Sequence, residues 1–368
     1  MAVVWVGGRA AAATLTGMTT LRLSRPADVL TSLPYVLGYH PLHSVVVIAL
    51  RGTTVGPIQR VDRLVGKDRY PIRLLKQVVR TVRADGSDRV MLVAYDDNPV
   101  TQVRGLEKVT TSMTAAGIDV LDRLVVADGR WWSLDCLDGQ CCPPGGTPIP
   151  SPARTPQLAE LVALGVAPVA DRDALVDRIE PVEGVAPYQL AALAAVDLSS
   201  VEEVYRAWTP LLDLSVAAEH LTEEQAAMVV ASAQVYLFRD GILDWLCPGL
   251  LGKQVPGASK TVRQRMWGAP PHRGREDAGA GSERLARLME FARRLPAGHR
   301  ADLVVMIGAY AWWLGECTIA SVCLDRVLGD PMASGGSRDR SALAPGHVLA
   351  GLLRRVVDAG LRPRDLVA

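Results

Sequence analysis

The sequence predicts an α/β N-terminal domain, a largely parallel sheet with a hairpin and helices packed on it, followed by an all-α helical domain. Three observations predict it. Apolar runs of strand length alternate with amphipathic stretches as far as Ala127. The pattern then dissolves into Gly, Pro and Cys from Asp128 to Pro152, with five prolines in the last ten of those residues. Beyond that loop the apolar residues recur at helical spacing.

Taken in order, Thr20–Leu23 reads as a strand. Ser24-Arg25-Pro26-Ala27-Asp28 then reads as a helix start, with Ser24 as cap and Pro26 in the first turn, and the helix stops at Gly38. Val45–Leu50 is an unbroken apolar run, as expected of a strand buried on both faces. The turn Arg51–Thr54 makes it a hairpin with Val55–Leu64. A helix over about Tyr70–Ala84 leads to a second buried strand, Val90–Tyr95, which ends in Asp96-Asp97. A helix over about Thr101–Ala116 leads to a third, Ile118–Ala127. Strand and helix alternating with short links argue for parallel pairing.

Residues 18–135 are therefore the α/β domain, 136–154 a Cys/Pro/Gly-rich loop and linker, and 155–368 the helical domain. Within the last, helices are expected at Thr155–Leu164, Asp171–Ile179, Pro187–Ala195, Val201–Leu212, Thr222–Leu246, Ser282–Leu295, Ala301–Leu314, Glu316–Leu328 and Val348–Gly360. Thr222-Glu223-Glu224-Gln225 is a capping box. The polar, Gly-rich stretch 252–281 is expected to be a mobile connection. Trp312–Leu328 resembles the turn and second helix of one tetratricopeptide unit, which implies tetratricopeptide-like packing and no array.

Composition excludes several classes. With 49% hydrophobic and 21% charged residues and a formal net charge of +1, the chain has no field to steer nucleic acid or an anionic membrane. Six cysteines in 368 residues are too sparse for a secreted disulfide scaffold, so a cytoplasmic location is expected. Residues 1–17 are broken by Gly7-Gly8-Arg9 and read as a disordered or mis-started extension, not a signal peptide. Leu303–Leu324 is long enough to raise the question of a membrane span. Gly315-Glu316 near its middle favours a helix–turn–helix instead.

Four segments carry residues with chemical potential. Tyr39-His40-Pro41-Leu42-His43 puts two histidines on a loop feeding a buried strand, where His40 suits a general base or a ligand contact. Arg60 and Asp62 alternate on one strand and share a face, either as a charge clamp or as an ion pair with each other. Asp128-Gly129 is a tight-turn signal, so Arg130 re-enters the sheet and Trp131 and Trp132 point to opposite faces. One indole then belongs to the core, and the other, beside Arg130, is free to stack on a planar ligand. Cys136, Cys141 and Cys142 supply three thiols in one loop, which could ligate zinc with His40 or Asp135 as a fourth donor, and are read instead as a structural feature: a loop staple, a redox-labile disulfide or simple packing. Their spacing is not that of a zinc ribbon, and the adjacent pair is expected to have difficulty facing one ion. No metal or cofactor is therefore expected. No phosphate loop, nucleophile elbow or dinucleotide fingerprint is present. The arginines Arg284, Arg287, Arg293 and Arg294, offset by Glu283 and Glu290, read as a solvated helix face.

The run Leu23–Leu30 into Pro34–Pro41, the triplet Arg60-Val61-Asp62, and Asp128–Ser133 followed by Cys136, Cys141-Cys142-Pro143-Pro144 and Gly146-Thr147-Pro148 together resemble the actinobacterial family known as domain of unknown function 4192. The resemblance covers nearly everything from Met18 onward. It implies a fold and a bacterial setting but no activity. That family's pattern continues Arg-Val-Asp with Leu-Pro, whereas Arg63-Leu64 follows here.

Two readings of different class follow. One is a non-enzymatic ligand-binding or regulatory protein, whose α/β domain holds a small molecule and whose helical domain meets a protein partner. The other is an enzyme of unrecognised type, with its site near His40, Asp62, Arg130 and the cysteine loop. For either, the expected pocket is lined by His40, Asp62, Arg130 and one of Trp131 or Trp132. His40 would titrate, Arg130 would hold an anion and the indole would stack.

Overall fold

The computed structural model describes residues 11–15, 19–23, 25–62, 72–96, 99–155, 158–159, 162, 167–182, 184–185, 187–217, 221–251, 257–271, 278–329, 342–361 and 363. The chain divides into two compact units, one from the N-terminal strands through Ala174 and one from Leu175 onward, with Asp358–Gly360 returning to the first.

The first unit opens with an antiparallel pair, β1 (Ala11–Leu15) and β2 (Thr19–Leu23). Strand β1 thus lies within the stretch expected to be a disordered extension. Helix α1 (Pro26–Leu37) follows. Arg25, not Ser24, stands at its N-cap: the Arg25 backbone N–H and guanidinium both donate to the Asp28 carboxylate. Gly38 closes the helix in the left-handed region at φ 82°.

The main sheet has six strands. They are β3 (Ser44–Arg51), β4 (Thr54–Asp62), β5 (Arg89–Tyr95), β6 (Asp119–Ala127), β7 (Arg130–Ser133) and β8 (Thr147–Pro148), in the order β4-β3-β5-β6-β7-β8. The expected largely parallel pairing is corrected here: only β5 and β6 pair in parallel, and the remaining neighbours are antiparallel. The helical crossovers do join strands of one direction, namely β4 to β5 through α2 (Ile72–Ala84) and β5 to β6 through α3 (Pro99–Thr114). However, the β3–β4 hairpin slots β3 between β4 and β5, and the Asp128-Gly129 hairpin adds β7 outside β6. Strand–helix alternation reveals the crossovers but not which hairpin partner fills the gap. The loop expected as a linker also supplies β8.

Helices α2 and α3 cover one face. Leu75, Val78 and Val82 with Leu106, Val109 and Met113 pack on Val45, Val47, Ala49, Val90, Leu92, Ala94 and Val125. Side chains alternate along a strand, so Ser44, Val46, Tyr95, Val126 and Trp131 point to the opposite face. All eight β3 residues except Arg51 are buried, as the apolar run predicts.

The second unit is helical: α4 (Arg172–Asp177, which straddles the boundary), α5 (Val201–Leu212), α6 (Glu223–Gln234), α7 (Tyr236–Leu246), α8 (Gly257–Trp267), α9 (Ala278–Arg293), α10 (Ala301–Leu314), α11 (Cys317–Leu328) and α12 (Val348–Asp358). The capping box forms as read, with Gln225 N–H donating to Thr222 Oγ1 and Thr222 N–H to the Gln225 side chain. Four expectations change. The helix expected at Pro187–Ala195 is irregular apart from a 3₁₀ turn at Leu193–Ala195, and Thr155–Leu164 lies largely outside the described residues. The long helix over 222–246 is broken at Val235, whose extended backbone bends α6 from α7 by 95°. Part of the expected mobile connection is helix α8, fixed by Arg263 pairing with Asp244 at 3.0 Å and Trp267 Nε1 donating to Thr209. The arginine row on α9 is no solvated face. Arg284 donates to Leu212 O, and Arg287 to the carbonyls of Pro210, Asp213 and Val216, so they cap the C-terminus of α5.

Among the described residues no single helix is long and apolar enough to cross a membrane. The bent α6–α7 pair passes that test by length and composition alone. Leu303–Leu324 is the expected helix–turn–helix, reversing at Gly315 with φ 91°.

Candidate functional site

Because β4, β5 and β6 run the same way, their carboxyl ends gather at one end of the sheet. Asp62, Tyr95-Asp96 and Ala127-Asp128 therefore meet the start of β3 there. Hydrogen bonds fix the loop between α1 and β3 at the same end: His40 N–H donates to Val169 O (3.1 Å) and Val169 N–H to Gly38 O (2.9 Å). The left-handed backbone of His43 (φ 47°) turns the chain into β3. Asp128 (φ 49°) and Gly129 (φ 70°) form the tight turn that the Asp-Gly pair predicts. Ile149 N–H then ties the chain after β8 to Gly129 O at 2.9 Å.

These segments enclose a cavity of about 360 Å³. Leu30, Pro34 and Tyr35 of α1, Tyr95, Val126 and Ala127 of the sheet, and Ile149, Pro150 and Pro152 form its largely apolar wall. Besides the hydroxyls of Tyr35 and Tyr95, its polar side chains are those of Thr31, His40, Asp96 and Asp128. Thr31 is spent on Ala27 O at 2.7 Å, and Asp96 faces His43 Nδ1 at 3.6 Å. The exposed side chains of His40 and Asp128 have no partner among the described residues.

Of the residues expected to share a pocket, only His40 lines the cavity. Asp62 stands at the same end of the sheet but is paired with Arg60 at 2.6 Å. Arg60 also donates to Tyr39 Oη at 3.0 Å and stacks on its ring, so the ion-pair reading of Arg60 and Asp62 fits and the substrate clamp does not. Arg130 holds no ligand place either: it donates to the carbonyls of Gly145 and Gly146 at 3.0 and 2.8 Å. Trp132 Nε1 donates to Pro144 O at 3.1 Å, and its ring lies so close to Gly146 that a Cβ there would stand 2.5 Å from it. Trp131 is buried. The two indoles do point to opposite faces, but both serve packing. The basic and aromatic residues after the Asp-Gly turn hold the cysteine loop, because β7 directs them along the strand and away from its turn.

The cavity's floor, where Tyr95 and Val126 stand side by side, carries no motif in the sequence. Ser44 and Trp131 flank these two in the same register row across β3, β5, β6 and β7 without lining the cavity. Three of the row carry a buried polar atom with no hydrogen-bond partner among the described residues: Ser44 Oγ, Tyr95 Oη and Trp131 Nε1. Burial raises the Tyr95 phenol far above its ordinary range, so it stays protonated. An aromatic at the end of an apolar run reads as core. The one available signal was its position beside Asp96.

A family model described as a domain of unknown function, DUF4192, matches residues 26–364. The chain belongs to that family. A comparison with curated proteins found no match, and neither did one with solved structures. The DUF4192 match begins at α1 and so spans every wall of the cavity and the whole cysteine loop.

That loop is the second chemical feature. Cys136, Cys141 and Cys142 bring their sulfurs within 4.8 Å of one another without a disulfide. The expected difficulty of aiming two adjacent cysteines at one point is overturned by the turn that carries them. Gln140 N–H donates to Asp138 Oδ1 and Cys142 N–H to Asp138 O, both at 2.8 Å, and this folds 138–142 back on Cys136. Burial first, then a hydrogen bond with Cys136, pushes the Cys142 thiol up to about 11, so at neutral pH it is no thiolate nucleophile.

Arg123 buttresses the loop's first turn, its guanidinium and backbone N–H both donating to Asp135. Hydrogen bonding to Arg123 holds the Asp135 carboxyl below its ordinary value. Its contribution to stability is thus present above the ordinary carboxylate range and lost as pH falls through the lower folded value. Asp122, raised chiefly by burial, has the opposite sign: its contribution is present in acid and lost as pH rises through its folded value. D135N is expected to flatten the acid loss while costing only about 0.2–1 kcal/mol at neutral pH, because the pair is partly exposed. Acid-unfolding curves of D135N and wild type that superimpose would refute this.

Proposed function

We propose that the α/β unit is a small-molecule-binding module that takes a neutral or cationic, mostly apolar ligand between α1 and the carboxyl ends of β5 and β6. The observation that carries this reading is the cavity itself: an apolar cleft with the unpartnered His40 and Asp128 at its rim. Its volume lies within the range of about 300–1,000 Å³ typical of ligand sites, and strand carboxyl ends are where open α/β sheets hold ligands. Anions are disfavoured, since Asp96 and Asp128 line the cavity and, among the described residues, no Lys or Arg does. In a regulatory protein the helical unit would meet a protein partner. The α10–α11 hairpin supports tetratricopeptide-like packing, because Gly308 lets the helices approach until an added Cβ would stand 3.1 Å from Cys323 Cβ.

One observation favours the enzyme reading as an alternative. Asp96, which lines the cavity, stands 3.6 Å from His43 Nδ1, so a small approach would pair an imidazole with a carboxylate as a general base with its support.

Ligand-observed NMR of the full chain, using fragment sets sorted by charge, tests the binding reading. Neutral and cationic fragments are expected to bind, to weaken with D128N and to be lost with A127L, which narrows the cavity. Binding dominated by anionic fragments, or hits indifferent to A127L, would sink it.

A further inference from the structure

We propose that Cys136, Cys141 and Cys142 form a zinc site of three sulfur ligands with its fourth position open to solvent. The site is defined by the geometry of the three sulfurs and does not involve the cavity. Sulfurs bound at about 2.3 Å to one tetrahedral zinc stand about 3.8 Å apart. The three Sγ atoms already lie within 4.8 Å of one another, so small rotations about Cα–Cβ bring them onto one ion.

The loop is built to hold that arrangement. Arg130 fixes the carbonyls of Gly145 and Gly146, Trp132 fixes that of Pro144, and Ser133 Oγ accepts from the Cys136 N–H at 3.0 Å. The backbone is thereby fixed at Cys136 itself and just beyond Cys142, on both sides of the three sulfurs in sequence. A disulfide would use only two of the three thiols and leave the third beside it without a role. A metal uses all three. Soft thiolates select zinc among the common divalent ions.

No fourth side-chain donor joins the cluster among the described residues. Asp135 is engaged by Arg123, and Asp138 Oδ1 accepts from Gln140 N–H. Cys141 is exposed, so water reaches the remaining position. On loading, each thiol gives up its proton to solvent and its sulfur forms a bond to Zn²⁺. Three protons are released and no electron is transferred.

The test is metal analysis of the full-length chain, purified under reducing conditions without chelator. One zinc per chain is expected, together with an X-ray absorption signature of three sulfurs at about 2.3 Å and one lighter ligand at about 2.0 Å. Cobalt(II) added to the metal-free chain should give thiolate charge-transfer and tetrahedral ligand-field bands, a readout that needs no variant. C136S and C142S should each lose the zinc, while C317S, at an exposed cysteine in the second unit, should keep it. Failure to take up zinc or cobalt overturns the proposal. So does zinc retained by the C136S/C142S double variant, or a disulfide among the three cysteines in freshly purified protein.

Discussion

Replacing Glu180 with Ala is expected to destabilise the helical unit by about 3–5 kcal/mol, the usual cost of stripping a buried charge of its partner. Arg300 is completely buried. Its Nε donates to Ala292 O at 3.1 Å, another nitrogen donates to Ile179 O, and Nη1 meets Glu180 at 3.2 Å. Glu180 also accepts from Arg326, so one carboxylate serves two guanidiniums. Burial lowers the Arg300 pKa, yet a guanidinium remains charged at any pH the protein survives. Without Glu180 that charge has only carbonyl dipoles. E180Q keeps the acceptor oxygen and should cost less than E180A. R300M removes the charge altogether and should cost less again, because an apolar side chain of similar length fills the space. Denaturant unfolding followed by tryptophan fluorescence reports on this unit, where Trp208, Trp245, Trp267, Trp312 and Trp313 sit. A loss below about 1 kcal/mol for E180A, or an R300M cost that exceeds it, would contradict this account of the buried pair.

The elements of the α/β unit were legible because its strands are written in one dialect. Val45–Leu50, Val90–Tyr95 and the end of Ile118–Ala127 are apolar on both faces, and Gly38, Gly86 and Gly117 end the helices between them. Strand order was not legible. A hairpin reads the same whether its first strand lies inside or outside the crossover, and that choice is made by side chains far apart in sequence. The same holds for Arg287, whose charge reads as solvated until its side chain is seen reaching the carbonyls at the end of α5. Helix α8 hid behind glycine and polar residues. Its stability comes from tertiary anchors, Arg263 and Trp267, and not from periodicity. In the candidate site His40 could be found because a histidine on a loop before a buried strand has no packing duty. Arg130 and Trp132 misled for an instructive reason: bonds to the carbonyls of a nearby loop give such residues a role that no pattern displays.

Tyr95→Phe is expected to stabilise the metal-replete or metal-free protein alike, by about 1–3 kcal/mol, and to weaken fragment binding in the cavity. Ordinarily, removing a buried hydroxyl costs a hydrogen bond. Here Tyr95 Oη is buried without a partner among the described residues, so its desolvation goes uncompensated and deleting it recovers that penalty. Phe keeps the ring, and with it the packing against Val126 and the cavity wall. Natural sequences keep such a cost where function uses the group. Tyr95 sits in the floor of the cavity, and Ser44 and Trp131 of its register row carry buried polar atoms in the same condition. A ligand that shifts the floor slightly gives the phenol, held protonated by burial, an acceptor to meet. Stability and binding should therefore move in opposite directions, which a merely structural tyrosine would not do. Urea unfolding of Y95F beside the wild type, with dissociation constants for the same neutral and cationic fragments, separates the outcomes. Loss of more than about 1 kcal/mol would mean that the hydroxyl is hydrogen-bonded in solution. Unchanged fragment affinity in a stabilised Y95F would leave the phenol without a part in binding.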